Sequence, residues 1–243
     1  MIINIKPVGI LLCGALLASS PAIVQSQQVD TRATELDRAA AQLEAAANRH
    51  VDEARTAIVI LAKDPVMAEA IQWSTGIFIL PSYRRAALAI GASGGTGVLL
   101  RKREDGKWSS PAFFTLGELS VGLQVGAVAG PFAFVLLNDK AIQRFTQRNN
   151  FSMGADTGLT VANWKRVARG SIGKGDVIAW SSARGIFADV AAVSVDDIRY
   201  DEKMTDAYYH RKLSANDVLS DHVSNNQAQG LQQALGAVSA PNK

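Results

Sequence analysis

Between residues 30 and 63 apolar positions recur at helical spacing. Leu36, Ala40, Leu43, Ala47, Val51, Ala54, Ile58 and Leu61 are separated by four, three, four, four, three, four and three positions. Those steps place them on one stripe of a long helix, and Asp37, Arg38, Glu44, Arg49, Asp52 and Glu53 fall mainly on other faces. The stripe is mostly alanine. It therefore suits packing against a domain, whereas a bilayer-inserting helix needs bulky apolar residues opposite a basic face. Asp64-Pro65 ends the helix, because the residue before proline is pushed out of the helical region. A short helical run follows over 66–73.

The period then changes to two. Alternating or short apolar runs predict strands over 76–80, 86–93, 98–103, 109–116, 121–129 and 132–137, separated by turn signals at Pro81-Ser82, Gly94-Gly95, Asp105-Gly106 and Gly130-Pro131. In the fifth of these, Gly122, Gln124 and Gly126 share one face, which predicts strong curvature or close backbone approach. A helix is predicted over 138–148 with Ala141, Ile142 and Phe145 facing the core, followed by strands over 151–156, 158–162, 177–182 and 186–193. Ser214 and Asp217 have capping-box spacing and should open a short helix. The stretch 225–243, rich in Gln, Ala and Gly, is expected to be mobile or weakly helical. The pattern implies an α+β fold: a curved, mainly antiparallel β-sheet or small barrel-like core with a long N-terminal helix and short additional helices.

A chain of 243 residues with 48% hydrophobic content can bury a substantial core, which favours one domain with accessory segments. Near the start, Lys6 precedes an apolar run over 8–18 and then SSPAIVQSQQ, the layout of an export signal with small residues permitting cleavage after Ser26. The run is shorter than the ~20 residues a spanning helix needs. The lone cysteine, Cys13, lies within it, and bulky Leu12 disfavours lipid anchoring there. The expected organisation is a signal peptide over 1–26, a helical segment packing on the core over 27–61, the main domain over 62–224 and the tail over 225–243. The expected location is the periplasm or cell envelope.

Charge changes the picture more than composition does. The formal net charge is +3, but residues 76–184 carry 14 Lys or Arg against 6 Asp or Glu, a net of +8 that leaves −5 elsewhere. A basic middle favours anionic partners. Three sets stand at or beside turns: Arg84 and Arg85; Arg101, Lys102, Arg103 and Lys107; and Lys165, Arg166 and Arg169. These are the candidate lipid-binding residues, expected on one end of the core, where each charge near an anionic bilayer contributes ~1 kcal/mol. Nucleic acid is the competing anion. Only Trp108 and Trp164 lie near the clusters, with no stacking platform, so no nucleic-acid partner is expected.

Other chemistry is thin. The tract Gly91 to Gly97 leads into Val98-Leu99-Leu100, so it reads as a hairpin or bulge, whereas a phosphate loop opens a helix. The histidines, His50, His210 and His222, have no metal-ligand or catalytic spacing, and no Gly-x-Ser-x-Gly elbow activates a serine. Glu118, Asp156 and Asp189 sit within apolar segments. They would support acid–base work only if they converged. No enzymatic activity, cofactor or metal is expected. An outer-membrane barrel fits poorly, with short strands, no aromatic girdles and a long preceding helix.

An ordered series of motifs resembles the SYLF domain family. AIQWSTGIFILP at 70–81 resembles the family's AkGvlIfP opening, and the segment 91–100 its GGxxGxGvLL turn. WSSPAF at 108–113, GLQVGA at 122–127, FSMGAD at 151–156, SARGIFA at 182–188 and Tyr208-Tyr209 resemble the later motifs in sequence order, together spanning about 62–219. Asp189 stands where the family favours glycine, and Ala92 or Ser93 replaces the first glycine of an early pair. In eukaryotic members the domain is described as lipid-binding or actin-binding, and it is common in exported bacterial proteins. The resemblance implies a non-enzymatic lipid-binding protein with an anionic phospholipid surface as partner. The other reading is a cell-envelope scaffold that binds protein.

Overall fold

The computed structural model describes residues 21–85, 93–120, 128–147, 150–154, 158–170, 175–182, 193–220 and 223–240. Met1–Ala39 and Ala40–Lys243 form two compact units. The described part of the first is helix, the opening portion of α1 (Pro21–Leu61), with Leu36 66% exposed. The expected cleavage point after Ser26 lies within the bounds of that helix. In the second unit Ala40 is exposed and Leu43 half-buried, and the stripe is buried as its spacing predicts only from Ala47 onward, at Ala47, Val51, Ala54, Ile58 and Leu61. Asp64 then caps α2 (Pro65–Trp73), its side chain accepting from the Val66 and Met67 N–H groups, with Pro65 in the first turn.

Eight strands form one curved, nearly closed barrel-like sheet. They are β1 (Gly76–Arg85), β2 (Ser93–Arg101), β3 (Ala112–Ser120), β4 (Val128–Leu136), β5 (Phe151–Met153), β6 (Val161–Asn163), β7 (Val177–Ser181) and β8 (Ser194–Tyr200). The order is β5-β8-β3-β2-β1-β4-β7-β6. Every pairing is antiparallel except β6 with β7. This is the α+β architecture that the pattern predicts.

Two expected turns are strand interior instead. Pro81 lies inside β1 and Pro131 inside β4, and these strands pair with each other. Their ladder shifts register between Leu80 and Tyr83, with Leu80 opposite Phe132 and Tyr83 opposite Gly130. Both prolines therefore fall at one irregularity, where a missing N–H costs no ladder bond. Gly130 supplies a φ of +142° there, and the Ser181 hydroxyl donates to the Pro131 carbonyl at 2.9 Å. Gly94 and Gly95, expected as a turn, likewise belong to β2. The strand predicted over 86–93 lies outside the described residues except for Ser93, where β2 begins. Those predicted over 121–129 and 186–193 are described only from Val128 and at Val193.

Both sheet faces are covered, so β1 reads as an unbroken apolar run, with Ile77, Phe78, Ile79 and Leu80 all buried. On one face Phe78 of β1 and Phe114 of β3 meet Phe145 of α3 (Asp139–Gln147), and Phe134 of β4 stacks on Phe78. Phe145 lies 5.3 Å from Phe78, 5.1 Å from Phe114 and 4.9 Å from Phe151 between ring centroids. On the other face Phe113 packs on Tyr208 of α5 (Glu202–Tyr209) at 5.1 Å. The buried residues of α3 are Ala141, Ile142 and Phe145, as predicted. Ser214 and Asp217 form the predicted capping box at the head of α6 (Ala215–Leu219).

The expected mobile tail is corrected. Residues 226–228 form a 3₁₀ turn, and Gln229–Ser239 is a helix, here called α7 after the short α4 (Trp164–Ala168), that buries Leu231 and Leu235 and packs on α2. Leu231 and Leu235 are one helical turn apart, enough to hold one face down.

Three buried or half-buried tyrosines tie this layer together. Tyr209 donates to the Pro111 carbonyl at 2.8 Å and Tyr200 to the Leu213 carbonyl at 2.6 Å. Burial raises the phenol pKa values of all three, that of Tyr200 to about 12 and those of Tyr208 and Tyr209 further. The neutral phenols stabilise the fold fully below their ordinary value of 10.0, and that contribution drains as pH rises through the folded-state values. Denaturant midpoints should therefore fall steadily above pH ~10. Tyrosinate absorbance should lag the free-tyrosine curve until unfolding releases it; titration of all tyrosines near the ordinary value in the folded protein would contradict this packing.

Candidate functional site

The hairpin joining β2 to β3 carries Arg101, Lys102, Arg103 and Lys107, four of the candidate cations. The predicted Asp105-Gly106 turn forms as expected: Gly106 has φ +79° and donates to the Arg103 carbonyl at 3.0 Å, and the Arg103 N–H donates to the Lys107 carbonyl at 2.8 Å. Asp105 organises its tip. The carboxylate accepts from the Lys107 backbone N–H at 2.9 Å and from Arg103 Nε at 3.3 Å, and lies 3.6 Å from Lys107 Nζ. The backbone N–H, ahead of the two cations, holds its pKa below the usual carboxylate value. Arg101 lies 3.6 Å from Asp139 at the start of α3.

Lys102 is used differently. Its Nζ donates to the Gln72 carbonyl at 2.8 Å and its backbone N–H to Thr75 at 2.8 Å, so it closes the C-terminal end of α2. Burial lowers its pKa. The hairpin is also fastened to α7. Trp108 Nε1 donates to Ser239 Oγ at 3.2 Å, and Gln232 Nε2 donates to both the Trp108 and Ser109 carbonyls at 3.1 Å. Between hairpin and helix lies a cleft of about 460 Å³, with Arg103, Lys107, Ser110, Gln229, Gln232 and Gln233 in its lining.

The candidate sets do not share one end of the core, which corrects the expectation. Gly76, where β1 begins, pairs with Arg101, whereas Arg84 pairs with Gly94. Eight residues of strand put the Arg84–Arg85 backbone about 25 Å from the hairpin's end. Lys165, Arg166 and Arg169 lie on and just after α4, at the β6 edge of the sheet and against α2. Lys165 Nζ sits 5.6 Å over the Trp164 ring, and Arg169 is exposed.

The remaining candidates do not converge on a site. His50 packs on α1 near Glu53, and burial lowers its pKa; His210, in the left-handed cap of α5, lies 3.4 Å from Glu44. Glu118 is in β3 opposite Asp196, while Asp156, Asp189 and His222 lie outside the described residues. Among the described residues no group of three or more His, Cys, Asp and Glu could hold a metal ion, and no helix is long and apolar enough to cross a membrane. Sequence reasoning missed Trp73, the last residue of α2, which is 72% exposed. An aromatic closing a short helical run reads as core; the one signal was its place two positions beyond Ile71, off the buried Met67–Ala70–Ile71 face.

Comparison with known proteins bears on this fold. A family model described as "Las17-binding protein actin regulator", Ysc84, matches residues 117–238, half of the chain. The human "SH3 domain-containing YSC84-like protein 1" is 27% identical over 129 residues, covering 52% of this chain and 37% of that protein. "Protein YSC84" of Saccharomyces cerevisiae is 25% identical over 112 residues, covering 44% of this chain and 24% of the relative. "LAS seventeen-binding protein 3" from the same species is 24% identical over 135 residues, with coverages of 54% and 29%. The matched stretch thus spans well under half the length of these relatives. The match takes in β3 to α7, the part that closes the sheet and covers the hairpin, and the chain belongs to the Ysc84 family, the family of the SYLF domain whose motifs its strands carry.

Proposed function

We propose that this chain is an exported, non-enzymatic protein that associates with anionic phospholipid surfaces through the hairpin spanning residues 101–107. The observation that carries the reading is the rigid tip at Arg103, Asp105 and Lys107, held by its own backbone bonds at the rim of the cleft. Arg103 and Lys107 both engage the Asp105 carboxylate, and the Lys107 pair, exposed on both sides, costs little to open. An anionic headgroup competes well for them, because the potential of a charged bilayer acts on every cation within a Debye length. Arg84 and Arg85, at the far end of β1, are not part of this surface. Lys165, Arg166 and Arg169, on and just after α4 at the β6 edge, are not assigned to it either.

Vesicle co-sedimentation tests the reading. The protein should pellet with phosphatidylserine-containing vesicles at low salt and be released as salt rises, with weak binding to phosphatidylcholine alone. The double variant Arg103→Gln/Lys107→Gln should bind about fivefold more weakly, less than two full surface charges would give because Asp105 already offsets part of their field. Asp105→Asn, which removes a negative charge yet keeps an acceptor for the Lys107 N–H, should strengthen binding. Equal binding to neutral and anionic vesicles would sink the electrostatic reading.

A second reading is supported by the family's description as a Las17-binding actin regulator and by the name of one yeast relative, LAS seventeen-binding protein 3. On that reading the chain is an envelope scaffold. Crosslinked partners that persist in the Arg103→Gln/Lys107→Gln variant would favour it.

A further inference from the structure

Trp73 is exposed for no reason internal to the fold. Its helix buries Met67, Ala70 and Ile71 and needs nothing from the position that follows them by two. The other tryptophans are used inward: Trp108 and Trp180 are buried and Trp164 is half-buried against Lys165. An indole 72% open to water is an uncommon expense of apolar surface, and in a protein that meets membranes the interface is where such a ring is stable, apolar body inward and N–H toward headgroups.

Its mounting is rigid on both sides. The Gln72 carbonyl accepts from Lys102 Nζ at 2.8 Å, and the Gln72 amide reaches the Ala240 carbonyl at 3.5 Å. Ser74 Oγ donates to Ile71 at 2.9 Å, and Thr75 donates through its N–H to Leu136 at 2.9 Å. Helix α2, strand β4 and the hairpin therefore hold the backbone at Trp73 from three directions. The cations are adjacent through the same bonds: Lys102 is tied to the residue before Trp73, and Arg101 pairs with Gly76, three residues after it.

We infer that Trp73 is the interfacial anchor of this surface, placing its indole at the headgroup level of an anionic bilayer while the hairpin cations Arg103 and Lys107 engage the phosphates. This rests on the lipid reading above and adds the apolar half of it. With the backbone fixed before contact, only the side-chain torsions of Trp73 are lost on insertion, so a single tryptophan contributes efficiently. The neighbouring cations specify an anionic surface over a neutral one.

Fluorescence tests it directly. With phosphatidylcholine/phosphatidylserine vesicles whose phosphatidylcholine is brominated high on the acyl chains, wild-type emission should shift to the blue and be quenched. Trp73→Phe should lose most of that quenching, since the remaining indoles face inward. Trp73→Ala should bind these vesicles about tenfold more weakly with an unchanged thermal midpoint, as expected for loss of an exposed apolar contact with lipid. Binding to anionic vesicles without quenching, or with equal affinity for Trp73→Ala, overturns the anchor and leaves the electrostatic reading standing. Failure of the wild type to bind anionic vesicles overturns both. Loss of a crosslinked protein in Trp73→Ala, with vesicle binding intact, overturns the anchor in favour of a protein contact.

Discussion

Phe78→Ala is expected to lower the stability of the domain by about 3–5 kcal/mol, enough to unfold much of it at ordinary temperature. Phe78 is fully buried on the central strand, with ring centroids 6.2 Å from both Phe114 and Phe134 and 5.3 Å from Phe145. Its removal leaves a void bounded by three strands and α3, and these cannot collapse inward together because each is fixed by its own ladder or cap. Phe78→Leu keeps most of the volume and should cost about 1–1.5 kcal/mol. Urea unfolding followed by tryptophan fluorescence measures both. A loss below about 1 kcal/mol for Phe78→Ala would mean that the aromatic cluster does not act as one packed unit.

Gly97→Ala should cost about 1–3 kcal/mol for the opposite reason, too much matter in the same place. A methyl group there would lie 2.5 Å from the Phe78 ring and 2.7 Å from the Ile79 carbonyl oxygen. The ring can swing only into its aromatic neighbours, and the carbonyl is backbone in the middle of the sheet. Gly76→Ala is the control, since its closest neighbour is the tip of the Ile142 side chain at 2.3 Å, which can rotate away, with the Leu100 carbonyl at 3.0 Å. Its cost should be the smaller of the two. Combining Gly97→Ala with Phe78→Leu should recover part of the loss through coupling between touching residues. Full recovery would show that the Ile79 carbonyl is not the obstacle.

What could be read in the sequence follows from how locally each element is determined. The stripe from Ala47 to Leu61, the Asp64-Pro65 start of α2, the Phe145 face of α3 and the Ser214–Asp217 box depend on neighbours three or four positions away, and all are as the spacing predicts. Pro81 and Pro131 misled because each is a turn signal taken singly. They are compatible with strand only because they face one shared irregularity, a fact of pairing. Strand β8, with the sequence SVDDIRY, carries Asp196, Asp197 and Arg199 among its positions that are not buried and sits between β3 and the short β5, so its pattern is too weak to mark it. Helix α7 fixes itself with two leucines and with Gln232, bonded to the Trp108 and Ser109 carbonyls, residues that in sequence look like filler. The grouping of the candidate cations is a matter of strand register: Arg84 and Arg101 are on adjacent strands yet at opposite ends.

The attachment of α7 to the hairpin has a consequence for the order of assembly. Ser239 receives the Trp108 indole N–H across 131 positions of sequence, and Gln232 reaches the Trp108 carbonyl across 124. The hairpin that carries the cations is therefore sealed by a segment that lies more than a hundred positions later in the chain. Contacts of such separation close late, after local helices and hairpins have formed. Until α7 docks, the Trp108 indole and the α2 surface stay uncovered, so a chain caught before that step exposes apolar surface that the finished domain hides.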